Sequence, residues 1–109
     1  MKIDDYQDFT ETTAIYPKDT ALAYLALGLA SETGEVCDKL KKHIRDSTED
    51  ELSRSQAIEL AKELGDVLWY VARIAQELDM SLSQVILMNY NKLTSRKANN
   101  TIKGSGDNR

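Results

Sequence analysis

A chain of 109 residues, 41% hydrophobic and 29% charged, is one domain, long enough for a core yet small enough to gain from a partner chain. A net charge of −4 argues against a basic surface for nucleic-acid polymers, and no apolar run approaches the roughly 20 residues that cross a membrane. Five glycines and one proline favour long helices, while a lone cysteine and an N-terminus without a signal-peptide pattern fit a reducing, cytoplasmic setting.

In chain order, Asp4 with Gln7 predicts the start of a short first helix with Ile3, Tyr6 and Phe9 on one side. The stretch TETTAIYPKD follows, and Pro17 forbids a simple continuation. Asp19 or Thr20 caps a second helix, to about Asp46. Thr48 with Glu51, or Ser53 with Gln56, caps a third, to about Asp79, and Ser81 with Gln84 caps a fourth, to about Ala98. The fold class is all-α, an antiparallel helical hairpin or four-helix bundle. Residues 1–98 form the helical domain. Residues 99–109, NNTIKGSGDNR, form a polar, flexible tail, a candidate lid that settles over a bound polyanion.

The second helix carries an apolar stripe of Leu22, Leu25, Leu29, Val36 and Leu40, with Glu32 in its gap and Glu35 on its flank. The third carries Leu60, Leu64, Val67, Val71, Ile74 and Leu78, with Glu63 beside the stripe and Asp66 further round. The segment LGDVLWYVA is apolar on all sides apart from Asp66, which predicts more cover than one hairpin supplies and so an obligate oligomer. Cys37 reads as a small, half-buried apolar residue, and His43 as a partly exposed helix residue.

In an antiparallel hairpin, residues at one height have numbers with a constant sum. Glu32 with Asp66 and Glu35 with Glu63 share one such sum, which puts the turn near residue 49, inside the polar stretch DSTEDE. Gly34 and Gly65 fall at nearly the same height, where they either let the helices approach or leave room for a ligand. Either acidic pair alone is ordinary for a solvated helix. Together they form a ring of like charge that needs a cation or a proton, and all-oxygen ligands favour Mg²⁺, with Mn²⁺ as a substitute. A di-iron site needs a Glu-x-x-His on each of two helices, and Leu40 stands where the lone His43 would need a glutamate. Lys39 and Lys42 follow on the same side, and the fourth helix carries Asn89, Lys92 and Arg96 roughly along one face. Each suits solubilising surface charge; near a bound Mg²⁺ they also suit polyphosphate.

At this point the chain resembles the MazG-type all-α nucleoside triphosphate pyrophosphohydrolases. Their E-x-x-E and E-x-x-D motifs are read here as Glu32, Glu35, Glu63 and Asp66, and the resemblance extends through ELGDVLWYVA, NYNKLTSRK and the tail GSGDNR. Many members have a further glutamate where this chain has Ser31. The resemblance implies Mg²⁺-dependent hydrolysis of an NTP or dNTP to the monophosphate and pyrophosphate, a house-cleaning activity, in dimers or tetramers of packed hairpins. Glu35 or Glu63 would then act as general base and Asn89, Lys92 and Arg96 would contact the nucleotide. Trp69 and Tyr70 are candidates for base or interface contacts, with core packing their more ordinary role. Two other readings are a phosphoribosyl-ATP pyrophosphohydrolase and a non-catalytic helical interaction module.

Overall fold

Serine–glutamine pairs set two of the helix starts. Ser53 Oγ accepts from the Gln56 N–H at 3.1 Å while Gln56 Oε1 accepts from the Ser53 N–H at 2.8 Å, and Ser81 with Gln84 repeats both bonds at the same distances. Asp79 and Asn100, at φ of 57° and 55°, end the helices before them. Met80 N–H returns to Ala75 O at 2.9 Å and Thr101 N–H to Arg96 O at 2.8 Å, so orphan carbonyls at both ends are satisfied. The computed structural model describes residues 1–109 as four helices and no strand. These are α1 (Ile3–Glu11), α2 (Ala21–Asp46), α3 (Arg54–Glu77) and α4 (Leu82–Ala98). None is long and apolar enough to cross a membrane.

The start of α1 differs from the sequence expectation. Lys2 is its cap, and Asp5 accepts from the Lys2 N–H at 3.0 Å. Asp4 and Gln7 instead serve tertiary contacts. Asp4 accepts from the Ser83 N–H at 3.0 Å and the Ser83 hydroxyl at 2.6 Å, and so caps α4. Gln7 is buried; it donates to Met80 O at 2.9 Å and Ala72 O at 3.3 Å, and accepts from the Leu82 N–H at 2.8 Å. One buried amide thereby fastens α1 to the turn between α3 and α4, with its donor and acceptor both matched.

Helices α2 and α3 form the antiparallel hairpin, α1 packs on α3 and α4, and α4 touches α1 and α3 but not α2. The four helices therefore do not close into a bundle within one chain. A small core of Ala72, Ala75 and Leu82, backed by Tyr6, Val71 and Val85, sits where α1, α3 and α4 meet. Elsewhere the apolar stripes are only partly covered. Leu25 is fully buried and Leu29, Val36, Leu60, Val67, Val71 and Ile74 are half-buried, but Leu22, Leu40, Leu64 and Leu78 are exposed, Leu64 by 54%. A pair of helices covers only the seam between them, and residues flanking the seam stay open. Cys37, one position beyond Val36 and turned off the seam, is exposed instead of half-buried.

The shape has the same cause. The radius of gyration is 17.0 Å, against about 13 Å for a compact domain of this length. The accessible surface is 8276 Å², against roughly 6,100 Å² for a compact monomer of this mass.

Candidate metal centre on the helical hairpin

The hairpin register is fixed by a close contact. A Cβ on Gly28 of α2 would overlap the ring of Tyr70 on α3, so only glycine lets that ring lie against the helix. One turn further along α2 the same register brings Glu32 to α3 beside Glu63 and Asp66. Carboxylate oxygens of these three residues all lie within 4.8 Å of one another. Glu32 and Glu63 are half-buried and Asp66 is exposed. Glu35, exposed on the next turn of α2, lies outside the group. A Cβ at Gly34 or Gly65 would meet nothing within 4 Å, so neither glycine serves close helix approach. Gly28, and not Gly34 or Gly65, is the close-approach glycine of the hairpin.

The trio is electrostatically crowded. Burial, then the negative charges of Asp66, Glu63 and Glu35, push the Glu32 carboxyl above the ordinary glutamate value. Burial, with Asp66 behind it, also raises the Tyr6 phenol, and burial raises Tyr70 with help from Tyr24, Glu32 and Asp66. Lys39 is the one basic side chain in ion-pair contact with the trio, 3.5 Å from Glu63.

A pH dependence follows for the metal-free chain. A carboxyl with a raised folded-state pKa binds its proton more tightly folded than unfolded. Its stabilising contribution is complete below the ordinary value of 4.5 and is lost as pH rises through the folded value. Glu32→Gln is therefore expected to gain melting temperature relative to wild type as pH is raised above about 4.5 in EDTA. Parallel melting-temperature curves for the two proteins would contradict the crowding described here.

The other candidate residues are placed differently. Lys42 pairs with Asp38 at 2.7 Å, and that hydrogen bond raises its pKa. Lys39 and Lys42 border a cavity of about 520 Å³ toward the hairpin turn, alongside Leu40, His43, Gln56 and Leu60. His43 is partly exposed on α2, as expected, although both of its ring nitrogens are buried without a hydrogen-bond partner. Trp69 donates its indole N–H to Thr13 Oγ1 at 2.7 Å and stands edge-on to Tyr70 and Tyr16, with ring centroids 4.9 and 6.4 Å apart. Tyr16 stacks on Tyr24 in turn. Trp69 and Tyr70 thus belong to an aromatic cluster that ties the 12–20 connection to the hairpin. Arg73, buried beneath it, donates to Thr10 Oγ1 and the Tyr16 hydroxyl. No hydrogen bond or ion pair joins Asn89, Lys92 or Arg96 to the carboxylates within the chain, and α4 makes no contact with α2. Lys92 and Arg96 pair with Asp107 of the tail instead.

Chemically, the trio offers oxygen donors alone, with no imidazole or thiolate among them. The profile of the MazG nucleotide pyrophosphohydrolase domain matches residues 20–101, a span that contains all four carboxylates and the whole of α4. The Gene 37 protein of Mycobacterium phage L5 is 44% identical over 115 residues, an alignment that covers 100% of both chains. No solved structure matches this chain.

Proposed function

The chain belongs to the MazG nucleotide pyrophosphohydrolase family, and from that premise we propose that it hydrolyses a nucleoside triphosphate to the monophosphate and pyrophosphate with a divalent cation. The observation that carries this reading is the Glu32, Glu63 and Asp66 trio, whose oxygens lie within 4.8 Å of one another. Three such groups, one with its acidity suppressed by burial and then by the charge of its neighbours, fit a hard cation that takes oxygen ligands, and Mg²⁺ or Mn²⁺ meets that description.

Glu32, Glu63 and Asp66 would hold the ion. When bound, it neutralises charge on the phosphate oxygens and acidifies a water. Glu35, on the same face of α2 but outside the trio, is free to accept the proton of the attacking water. Lys39 exchanges its ion pair with Glu63 for a phosphate oxygen, and Lys42 adds positive charge on the same side. Asn89, Lys92 and Arg96 supply phosphate contacts from the α4 of a second copy, since within the chain no bond joins them to the carboxylates and Lys92 and Arg96 pair with Asp107. Trp69 and Tyr70, packed beside the trio's register, present aromatic surface to the base.

The test is pyrophosphate release from a panel of NTPs, dNTPs and phosphoribosyl-ATP with Mg²⁺. Release from at least one NTP or dNTP, abolished by EDTA, is the expected result. Turnover of phosphoribosyl-ATP alone would replace the substrate class. No release from any compound, with Mg²⁺ or Mn²⁺ and a folded protein, would leave the helical interaction module standing.

A further inference from the structure

We infer that Asp107 holds, inside the folded chain, the place of a phosphate in a polyphosphate site built by Lys92 and Arg96, so that the tail restrains this site until a polyanion displaces it. The inference rests on the reading above that Lys92 and Arg96 take substrate phosphates, and adds the device that regulates them.

The tail is closed on itself by specific bonds. Arg109 donates Nε to Thr101 O at 3.0 Å, one terminal nitrogen to Gly106 O at 2.6 Å and the other to Ile102 O at 3.2 Å. Gly104 and Gly106 have φ of 136° and 85°, which other residues rarely adopt, so the loop has a shape that only glycines allow. This loop sets Asp107 Oδ1 at 3.1 Å from Lys92 and 3.4 Å from Arg96. A cleft of about 390 Å³ is lined by the same side chains together with Met88, Asn91 and Ser95.

Asp107 is an incomplete occupant of that place. One oxygen answers two cations, and the buried Arg96 makes only two bonds, both at 3.4 Å, whereas a charge-assisted bond closes to about 2.7–2.9 Å. Two cationic side chains, Lys92 and Arg96, share a single carboxylate oxygen. A ligand with several anionic oxygens and more than one negative charge answers them better, and pyrophosphate or a triphosphate is such a ligand. The Asp107 side chain is 78% exposed, so its ion pairs are weak enough to exchange.

The experiment is calorimetric titration of inorganic pyrophosphate into the full chain in EDTA, which removes any contribution from a metal at the carboxylates. Asp107→Asn is expected to bind pyrophosphate about threefold to fivefold more tightly than wild type. Lys92→Ala with Arg96→Ala is expected to bind it about tenfold or more weakly. In the wild type, saturating pyrophosphate should release the tail and speed tryptic cleavage after Lys103. Equal affinity of wild type and Asp107→Asn, or unchanged cleavage at Lys103, overturns the inference. These readouts need no turnover: a chain that behaves as stated but hydrolyses no triphosphate keeps the tail device and loses the enzymatic reading, and the opposite pair of results does the reverse.

Discussion

Glu63→Gln is expected to lower Mg²⁺-dependent pyrophosphate release by roughly a hundredfold or more while helical content and assembly survive. Glutamine keeps the shape of the side chain and removes its charge, so the loss falls on cation binding and not on packing. The Lys39 ion pair also disappears, but it is 3.5 Å long and partly exposed, and such pairs contribute little to stability. Relief of repulsion on Glu32 works in the opposite direction, so the metal-free variant should melt no lower than wild type. Mg²⁺ at a hundred times its Kd would stabilise the wild type by about 2.7 kcal/mol, and this shift should vanish in Glu63→Gln. Glu35→Gln separates the two roles. It should lose comparable activity yet retain the Mg²⁺-dependent rise in Tm, because Glu35 lies outside the trio. Near-normal turnover in Glu63→Gln would remove the carboxylates from the mechanism.

At micromolar concentration the chain is expected to sediment as a compact dimer or tetramer. Its surface exceeds that of a compact monomer by roughly 2,000 Å², well above the ~800 Å² per partner of a standard interface. Much of what is exposed is apolar: Leu64 and Leu68 one turn apart on α3, and Ile86, Tyr90 and Leu93 on α4. A lone chain would present these to water with almost no core to offset them, since nine residues in all are buried. Leu68→Glu makes the point from the other side. For a monomer, a substitution at so open a position changes stability by about 0.5 kcal/mol or less. In an oligomer that covers this face it buries a charge, and should dissociate the assembly and lower Tm together. A wild-type chain that sediments as a compact monomer would end this expectation, and with it the route by which α4 of one copy serves the carboxylates of another.

The limits of α3 and α4, and the meeting of Glu32 with Asp66 and Glu63, were legible in the sequence because each depends on short-range rules, whereas Thr20 at the start of α2 makes no side-chain cap bond. A Ser53–Gln56 or Ser81–Gln84 box closes within one turn. Helical periodicity with a short connection then leaves one register for an antiparallel pair. Family membership was legible for the same reason, since it rests on acidic pairs three residues apart. The tertiary structure decided the rest. Asp4 and Gln7 have the spacing of a local cap, yet their partners lie 65 to 79 residues away, and nothing near them in the chain announces a buried amide. Gly28 is explained only by the Tyr70 ring that comes to rest on it. Glu35 shares a face with Glu32, but one turn of helix carries its carboxylate out of the group. The splayed α4, the open Leu64 and the seat of Asp107 on Lys92 and Arg96 follow from which faces find a neighbour. Periodicity says that a face is apolar or charged; only packing in three dimensions, where there are more apolar faces than helices to cover them, selects the ones that are buried.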